Sequence, residues 1–135
     1  MTVADLMVHK VITVEPGERL FDAVLIMNEN HVRHLPVVDQ GRLVGIITNR
    51  DIRFLANEVS AEDRDRGNYT LSLNNRVVDI MEKHPIVTGA DVPLNEILDV
   101  FLDEKIGAVP VVDEQDCLLG IIGYIDLLKV LRDRL

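Results

Sequence analysis

The chain has 135 residues, of which 47% are hydrophobic and only 4% aromatic, and its formal net charge at pH 7 is −9. This length and composition suit one compact domain, or two small halves that share a core. A strongly acidic chain repels a phosphate backbone, and few aromatic side chains are present to stack on bases. We therefore expect no nucleic-acid partner.

Cysteine usage and the opening residues bear on the cellular compartment. The single cysteine, Cys117, cannot form an intramolecular disulfide, which fits a reducing compartment. The opening stretch MTVADLMVHK lacks the basic and apolar regions of a secretory signal. No apolar run approaches the roughly 18 residues that a membrane span needs. We expect a cytoplasmic protein with no membrane partner.

The first elements predicted along the chain are a short strand and an amphipathic helix. The apolar run VITV at residues 11–14 predicts the strand. Apolar side chains then recur at helical spacing, which marks the buried face of a helix. These side chains are Leu20, Ala23, Val24 and Met27.

The hydrophobic period then changes from that of a helix to that of strands. LPVVD, a polar turn at Gln40-Gly41 and RLVGIIT predict a two-stranded hairpin. Helical character resumes from Asp51 to Ala56, directly after the second strand. This part of the chain therefore has the order strand, helix, strand, strand, helix.

Residues 57–75, NEVSAEDRDRGNYTLSLNN, are polar, charged and poor in large apolar side chains. We interpret them as a linker, and the alternative is a solvated helix through SAEDRDR followed by a turn at Gly67-Asn68. The predicted organisation is a first motif at residues 1–56, the linker at 57–75 and a second motif at 76–135.

The second motif repeats the first. A shift of 74 residues places Val3 on Val77 and LPVVD on VPVVD. After one inserted residue near Cys117, GII at residues 45–47 falls on GII at residues 120–122. One copy has too few elements to bury both faces of its sheet, so we expect the copies to pack about a pseudo-twofold axis in an α+β (α/β-like) fold.

The elements of the second copy follow in the same order as those of the first. PIVT at residues 85–88 corresponds to the short strand, a second hairpin turns through residues 114–116, and a helix runs from Asp126 to Arg134. The amphipathic helix of this copy is marked by Leu94, Ile97, Leu98 and Phe101.

This β-α-β-β-α unit, with LPVVD followed by GIITNRD, resembles the cystathionine-beta-synthase (CBS) domain, and two units in tandem resemble a Bateman module. The resemblance spans residues 3–55 and 77–131. VRHLPVVD followed by GIITNRDIR is similar, more narrowly, to the CBS part of acetoin-utilisation-type B proteins. The resemblance implies a regulatory sensor that binds adenine nucleotides or related adenosyl compounds between its two motifs, and that is not itself an enzyme.

The stretch Thr48-Asn49-Arg50-Asp51 has two interpretations. Ser/Thr-x-x-acid at a helix start is a capping box, in which Thr48 and Asp51 satisfy backbone N–H groups. A helix N-terminus with a hydroxyl also suits a phosphate, and an acceptor-only carboxylate suits both hydroxyls of a ribose. The sequence alone leaves both interpretations open.

The family resemblance assigns the phosphate contact to Thr48, the ribose contact to Asp51 and part of the adenine wall to Ile46. Local positive charge for an anion comes from Arg33, His34 and Arg50, and solvated surface charges are the alternative. The first predicted site comprises Thr48, Asp51, Ile46, Arg33, His34, Arg50, Ile86 and Val87.

The second copy differs at the positions that would hold a phosphate. Gly123 replaces Thr48, and Gly107-Ala108 replaces Arg33-His34. This site therefore suits a nucleoside or a thioether-bearing adenosyl compound, or binds nothing, and Gly123 also fits a purely structural helix cap. The second predicted site comprises Asp126, Ile121, Thr13, Val14, Ala108 and Val109.

Signals for catalysis or metal binding are weak. The stretch His31-Val32-Arg33-His34 lacks the spacing and the glutamate of HExxH, so we expect no metal site. No nucleophile elbow or glycine-rich phosphate loop is present, so we expect no enzyme and no required cofactor.

The preferred function is a regulatory module that senses AMP, ADP, ATP or an S-adenosylmethionine-type compound. The expected partners are a second copy of the chain in a homodimer and a downstream protein that the sequence does not identify. The alternative is a ligand-free dimeric scaffold in which TNRD is only a helix cap.

Overall fold

The computed structural model describes residues 1–57 and 75–135. Nearly all of the predicted linker, and the alternative helix through SAEDRDR, lie outside these residues. The described elements, in chain order, are α1 (Val3–Leu6), α2 (Leu20–Asn30), β1 (His34–Asp39), β2 (Arg42–Thr48), α3 (Asn49–Asn57), α4 (Val77–Ile80), α5 (Leu94–Glu104), β3 (Ala108–Val112), β4 (Leu118–Gly123) and α6 (Tyr124–Arg134).

The repeat predicted from the sequence is present in the order of the elements. Helix α2, strands β1 and β2 and helix α3 recur as α5, β3, β4 and α6. Helices α3 and α6 each begin two residues earlier than predicted, at Asn49 and Tyr124, because the residues before Asp51 and Asp126 already have helical conformation. The short helices α1 and α4, which open the two copies, were not predicted.

The two predicted short strands are shorter than expected. Each contributes one parallel bridge, between Val14 and Val37 in the first copy and between Thr88 and Val111 in the second. Two hydrogen bonds hold each bridge; the Val14 N–H, for example, donates to the Pro36 carbonyl at 3.1 Å. The remaining residues of VITV and PIVT form no ladder, so the prediction of full strands was wrong.

The two hairpins turn differently. Gln40 and Gly41 have φ values of 51° and 81°, the left-handed pair that a two-residue turn needs to match strand twist. The second hairpin accommodates the inserted residue in a longer turn. There the Asp113 carboxylate accepts the N–H groups of Gln115 and Cys117, each at 2.9 Å, and the β3–β4 register shifts between Val111 and Val112.

The chain divides into two compact units, and the units do not follow the copies of the repeat. The first unit comprises Ile12–Gln40 and Val44–His84, and the second comprises Met1–Val11, Gly41–Leu43 and Pro85–Leu135. The opening segment of each copy therefore packs within the unit that contains the other copy.

Each unit has its own apolar core. Each core includes one valine from the opening segment of the other copy, which we call the exchanged segment. In the first unit Val77 of α4 is fully buried among Leu20, Leu35 and Ile47. In the second unit Val3 of α1 is fully buried in a cluster whose other members are Ile97, Phe101, Val109, Val111 and Ile122. Burial of an aliphatic side chain of this size contributes roughly 1.5–3 kcal/mol.

Backbone hydrogen bonds fix the exchanged segments at their ends. In the first unit, Glu82 and Ile46 exchange N–H···O bonds of 2.9 and 3.0 Å, which adds an antiparallel bridge to β2. In the second unit, Val8 and Ile121 form the equivalent bridge with bonds of 2.8 and 3.0 Å. Strands β2 and β4 are thus each paired with the opening segment of the other copy, at Ile46 and Ile121.

Glycines in β2 and β4 make these crossings possible. A Cβ at Gly45 would lie 2.6 Å from the Met81 sulfur and 2.8 Å from the Glu82 carbonyl oxygen. A Cβ at Gly120 would lie 2.7 Å from the Val8 carbonyl oxygen. These distances are shorter than real Cβ contacts, and backbone atoms cannot move aside without breaking the bridge. Glycine is required here for close approach.

We predict that Gly45→Ala and Gly120→Ala each lower the free energy of unfolding by about 1–3 kcal/mol, because the new methyl group overpacks the crossing. Gly17→Ala is the matched control, since no atom lies within 4 Å of its Cβ position. Urea denaturation of the three variants measures the effect. Equal stability of Gly45→Ala and Gly17→Ala would contradict this account of the crossing.

Candidate functional site

Six residues of the first predicted site lie in the first unit. Ile46 is buried near the end of β2, Thr48 ends that strand, and Arg50 and Asp51 lie in the first turn of α3. Arg33 and His34 stand at the start of β1. The other two residues, Ile86 and Val87, belong to the second unit, where they are 39% and 43% exposed.

Thr48 and Asp51 form a reciprocal capping box. The Thr48 N–H donates to Asp51 Oδ2 at 3.0 Å, and the Asp51 N–H donates to Thr48 Oγ1 at 3.2 Å. The capping interpretation is therefore confirmed. Among the described residues, no group donates to Asp51 Oδ1 and none accepts the Thr48 hydroxyl hydrogen. The cap thus leaves one acceptor and one donor for another molecule.

The start of β1 is joined to the start of α3. The Asn49 N–H, the first of the helix, donates to the Arg33 carbonyl at 2.8 Å. The Arg50 N–H occupies the second helical position, where an α-helix provides no internal acceptor. The positive end of the helix dipole therefore lies next to the backbone that carries Arg33 and His34.

His34 is half-buried and lies near Asp51. Burial lowers the pKa of His34 below its ordinary value of 6.5, the neighbouring Arg33 cation lowers it further, and the Asp51 carboxylate partly opposes both effects. The structure thus brings together a carboxylate, an imidazole and a guanidinium. Sequence reasoning placed His34 near the site but did not anticipate its burial.

Arg33 and Arg50 are exposed. No described acid lies within ion-pair distance of either guanidinium. With the helix N-terminus, these cations create a positive region in a chain whose net charge is −9. The arrangement suits an anion beside a carboxylate that accepts hydrogen bonds.

The second predicted site repeats the backbone geometry of the first without its cations. Asp126 Oδ2 accepts the Gly123 N–H at 2.9 Å, and the Tyr124 N–H donates to the Gly107 carbonyl at 3.2 Å. Gly123 has no hydroxyl, so no side chain caps the Asp126 N–H. A Cβ at Gly123 would make only ordinary contacts, the nearest at 3.4 Å, so the fold itself does not require glycine here.

The remaining residues of the second predicted site are divided between the units. Ala108 and Val109 begin β3 and Ile121 lies in β4, all in the second unit. Thr13, which is exposed, and Val14, which is buried, belong to the first unit.

The described residues contain neither a cluster that suits a metal ion nor a helix that could span a membrane. Within residues 1–57 and 75–135, histidine, cysteine and acidic side chains form no group of three or more that suits a metal ion. None of the helices in the described part of the chain has the length and hydropathy of a membrane span.

The lowered pKa of His34 predicts a stability that depends on pH. The unfolded chain binds more protons than the folded protein between the folded pKa and 6.5, so folding stability must fall as the pH decreases through this window. Urea denaturation at pH about 7.5 and about 5.5 measures the loss. His34→Gln should reduce it, whereas the control His84→Gln, at an exposed histidine, should not. Equal losses in both variants would contradict the assignment.

The description "CBS domain" belongs to the family model that matches this chain, at residues 3–58 and 77–133. Protein MJ1225 of Methanocaldococcus jannaschii is 40% identical over 126 residues, which are 93% of this chain and 45% of that protein. The inosine-5'-monophosphate dehydrogenase of the same organism is 32% identical over 93% of this chain and 22% of the enzyme. The chain thus spans less than half the length of these relatives.

Solved structures share the fold over nearly the whole chain. MJ1225 itself matches with a TM-score of 0.88 at 37% identity, over 96% of this chain and 47% of that one. The CBS domain pair of protein MJ0100, solved with 5'-methylthioadenosine and S-adenosyl-L-methionine, has a TM-score of 0.80 at 26% identity and covers 100% of this chain and 98% of its own.

Two further structures bear on the sequence analysis. The acetoin utilization protein AcuB from Vibrio cholerae has a TM-score of 0.81 at 28% identity, over 98% of this chain and 91% of its own. CBSX2 of Arabidopsis thaliana, solved in complex with AMP, has a TM-score of 0.82 at 25% identity, over 98% and 96%. The resemblance predicted from LPVVD and GIITNRD is confirmed, and the chain belongs to the CBS-domain family, with two CBS motifs in tandem as a Bateman module.

Proposed function

We propose that this chain is a regulatory module that binds an adenine nucleotide at the start of α3. The observation that carries the proposal is the capping box, which leaves Asp51 Oδ1 and the Thr48 hydroxyl hydrogen without described partners. Two relatives of nearly equal length support the ligand class, since CBSX2 was solved with AMP and the MJ0100 pair with adenosyl compounds.

The ribose is proposed to bind Asp51. An ionised carboxylate only accepts hydrogen bonds, and neighbouring hydroxyls of a ribose both donate. Asp51 Oδ2 already accepts the Thr48 N–H, so its orientation is fixed before a ligand arrives. A preorganised acceptor loses little side-chain entropy on binding.

The phosphate is proposed to bind beside the first turn of α3. The Thr48 hydroxyl and the Arg50 N–H supply neutral donors, and Arg33 and Arg50 supply positive charge. The buried side chain of Ile46 offers an apolar neighbour for the base. This combination favours AMP, ADP or ATP over an uncharged nucleoside.

The second site is proposed to bind a different ligand or none. Asp126 can accept ribose hydroxyls in the same way as Asp51, but the positions of Arg33, His34 and Thr48 carry Gly107, Ala108 and Gly123. Without a cation or a hydroxyl, a phosphate has little to compensate for its lost hydration. A nucleoside or a thioether-bearing adenosyl compound suits this site better.

The proposed output is regulatory rather than catalytic. The match to the dehydrogenase covers only 22% of that enzyme, so it carries no argument for the enzyme's chemistry in this chain. A ligand shifts an equilibrium only by its different affinity for two states, so binding must be read by a partner protein that distinguishes those states. We propose that the module acts in the cytoplasm, which its single cysteine favours.

We further propose that the chain forms a homodimer through α5 and α6. Helix α6 has no buried residue, and Leu102, Leu128 and Leu131 are 72%, 52% and 54% exposed. Helix α5 carries acidic side chains and no basic one, whereas α6 carries three basic and two acidic side chains, so a twofold contact between copies could pair α5 with α6. Large exposed apolar side chains on neighbouring turns of one helix, as Leu128 and Leu131 are on α6, favour an interaction surface.

For ligand binding, we predict that AMP titrated into the protein gives a saturable heat, and that Asp51→Asn weakens binding about tenfold or more by removing the charged acceptor. Asparagine retains an oxygen that can accept the Thr48 N–H, so the cap is preserved. Asp79→Asn is the matched control, because Asp79 Oδ2 accepts the Arg76 N–H at 3.1 Å in a similar cap away from the site.

Three outcomes distinguish the functions. Loss of binding in Asp51→Asn but not in Asp79→Asn supports the sensor. Equal weakening of AMP binding in both variants would mean that each substitution acts only by destabilising the fold. No heat with AMP, ADP, ATP or S-adenosylmethionine would favour the ligand-free scaffold.

For assembly, we predict that light scattering gives a molar mass of twice 15.2 kDa for the wild-type protein. Leu128→Glu should yield monomers, because a charge would be buried without a partner in the contact. Leu25→Glu, at an exposed leucine of α2 outside the proposed contact, serves as the control and should remain dimeric. A monomeric wild-type protein would refute the dimer.

A further inference from the structure

His34 differs from the other histidines of the chain. His9, His31 and His84 are exposed, whereas His34 is half-buried at the start of β1. The preceding residue, Arg33, accepts the first N–H of α3 through its carbonyl, so the imidazole lies beside the cap at which we propose the phosphate binds. An imidazole, a side chain whose charge can change with pH, thus lies beside the proposed anion site.

The charges around His34 favour its neutral form in the unliganded protein. Arg33 on the same segment and partial burial oppose protonation, and Asp51 of α3 is the described carboxylate that acts in the other direction. Arg50 adds a second cation in the first turn of α3. Strand β2 carries no ionisable side chain between Val44 and Thr48, and Glu29 and His31 near the end of α2 are exposed.

A bound phosphate would reverse this balance. A nucleotide phosphate carries up to two negative charges at neutral pH, against the single charge of Asp51. A negative group near an imidazole favours the imidazolium, which can then donate a hydrogen bond to the phosphate.

We infer that binding of a nucleotide phosphate at the start of α3 is coupled to the uptake of a proton by His34. The inference rests on the proposed function, because it needs a phosphate in this site. Proton uptake predicts that the affinity for AMP rises as the pH falls. The rise is up to about tenfold per pH unit, over the range between the pKa of His34 in the AMP complex and its pKa in the unliganded protein. Affinity for adenosine should not follow this dependence.

The test is calorimetric titration with AMP at pH about 7.5, where the phosphate is almost fully dianionic, in two buffers of different ionisation enthalpy. The expected result is proton uptake with AMP and none with adenosine. His34→Gln should abolish the uptake, and the control His84→Gln should preserve it. An AMP-induced increase in the titration point of the His34 imidazole, followed by NMR, provides a second measurement that needs no variant at the site.

The outcomes separate this inference from the proposed function. If AMP binds with the same proton number in the wild type and in His34→Gln, or the NMR titration of His34 does not change, proton coupling is refuted and nucleotide binding stands. If neither AMP nor adenosine binds, the proposed function fails and the coupling fails with it.

Discussion

Both units depend on one steric constraint. In each unit, the opening segment of one copy crosses close to the second hairpin strand of the other copy, β2 or β4. At Gly45 and Gly120 the backbones approach to distances that exclude any side chain. The crossing allows the bridges between Ile46 and Glu82 and between Val8 and Ile121. It also carries Val77 and Val3 into cores that their own copies do not build. Neither unit is complete without residues from both copies.

Thr48, in the candidate site, lies two residues beyond the bridge between Ile46 and Glu82. Ile46 is fixed by its bridge to Glu82, so the strand delivers Thr48 to the start of α3 in a defined orientation. Asp51 then closes the cap with one carboxylate oxygen, and within the described residues the other oxygen accepts no hydrogen bond. Structural capping and the proposed ligand binding would therefore use different atoms of the same two residues, and the two interpretations of TNRD do not exclude each other.

Features encoded by nearby residues could be predicted from the sequence, and long-range features could not. The 74-residue repeat, the Gln40-Gly41 turn and the capping box each follow from local patterns, and the structure contains them. The exchange of opening segments left no such signal, because four-residue helices such as α1 and α4 form through packing rather than propensity. VITV and PIVT have strand-like composition, yet only one residue of each pairs. The half-burial of His34 likewise depends on packing, although its position beside the cap could be predicted.

The duplicated backbone gives two helix starts that share one geometry and carry different side chains. Carbonyls of Arg33 and Gly107 accept the first N–H of α3 and α6 in the same manner, and Asp51 and Asp126 make equivalent bonds. A Cβ would fit at Gly123 without a close contact, so the lack of a hydroxyl there is not imposed by the fold. The asymmetry therefore lies in side chains that stability leaves free to vary. Such side chains can differ between the copies while the crossings at Gly45 and Gly120 are both retained.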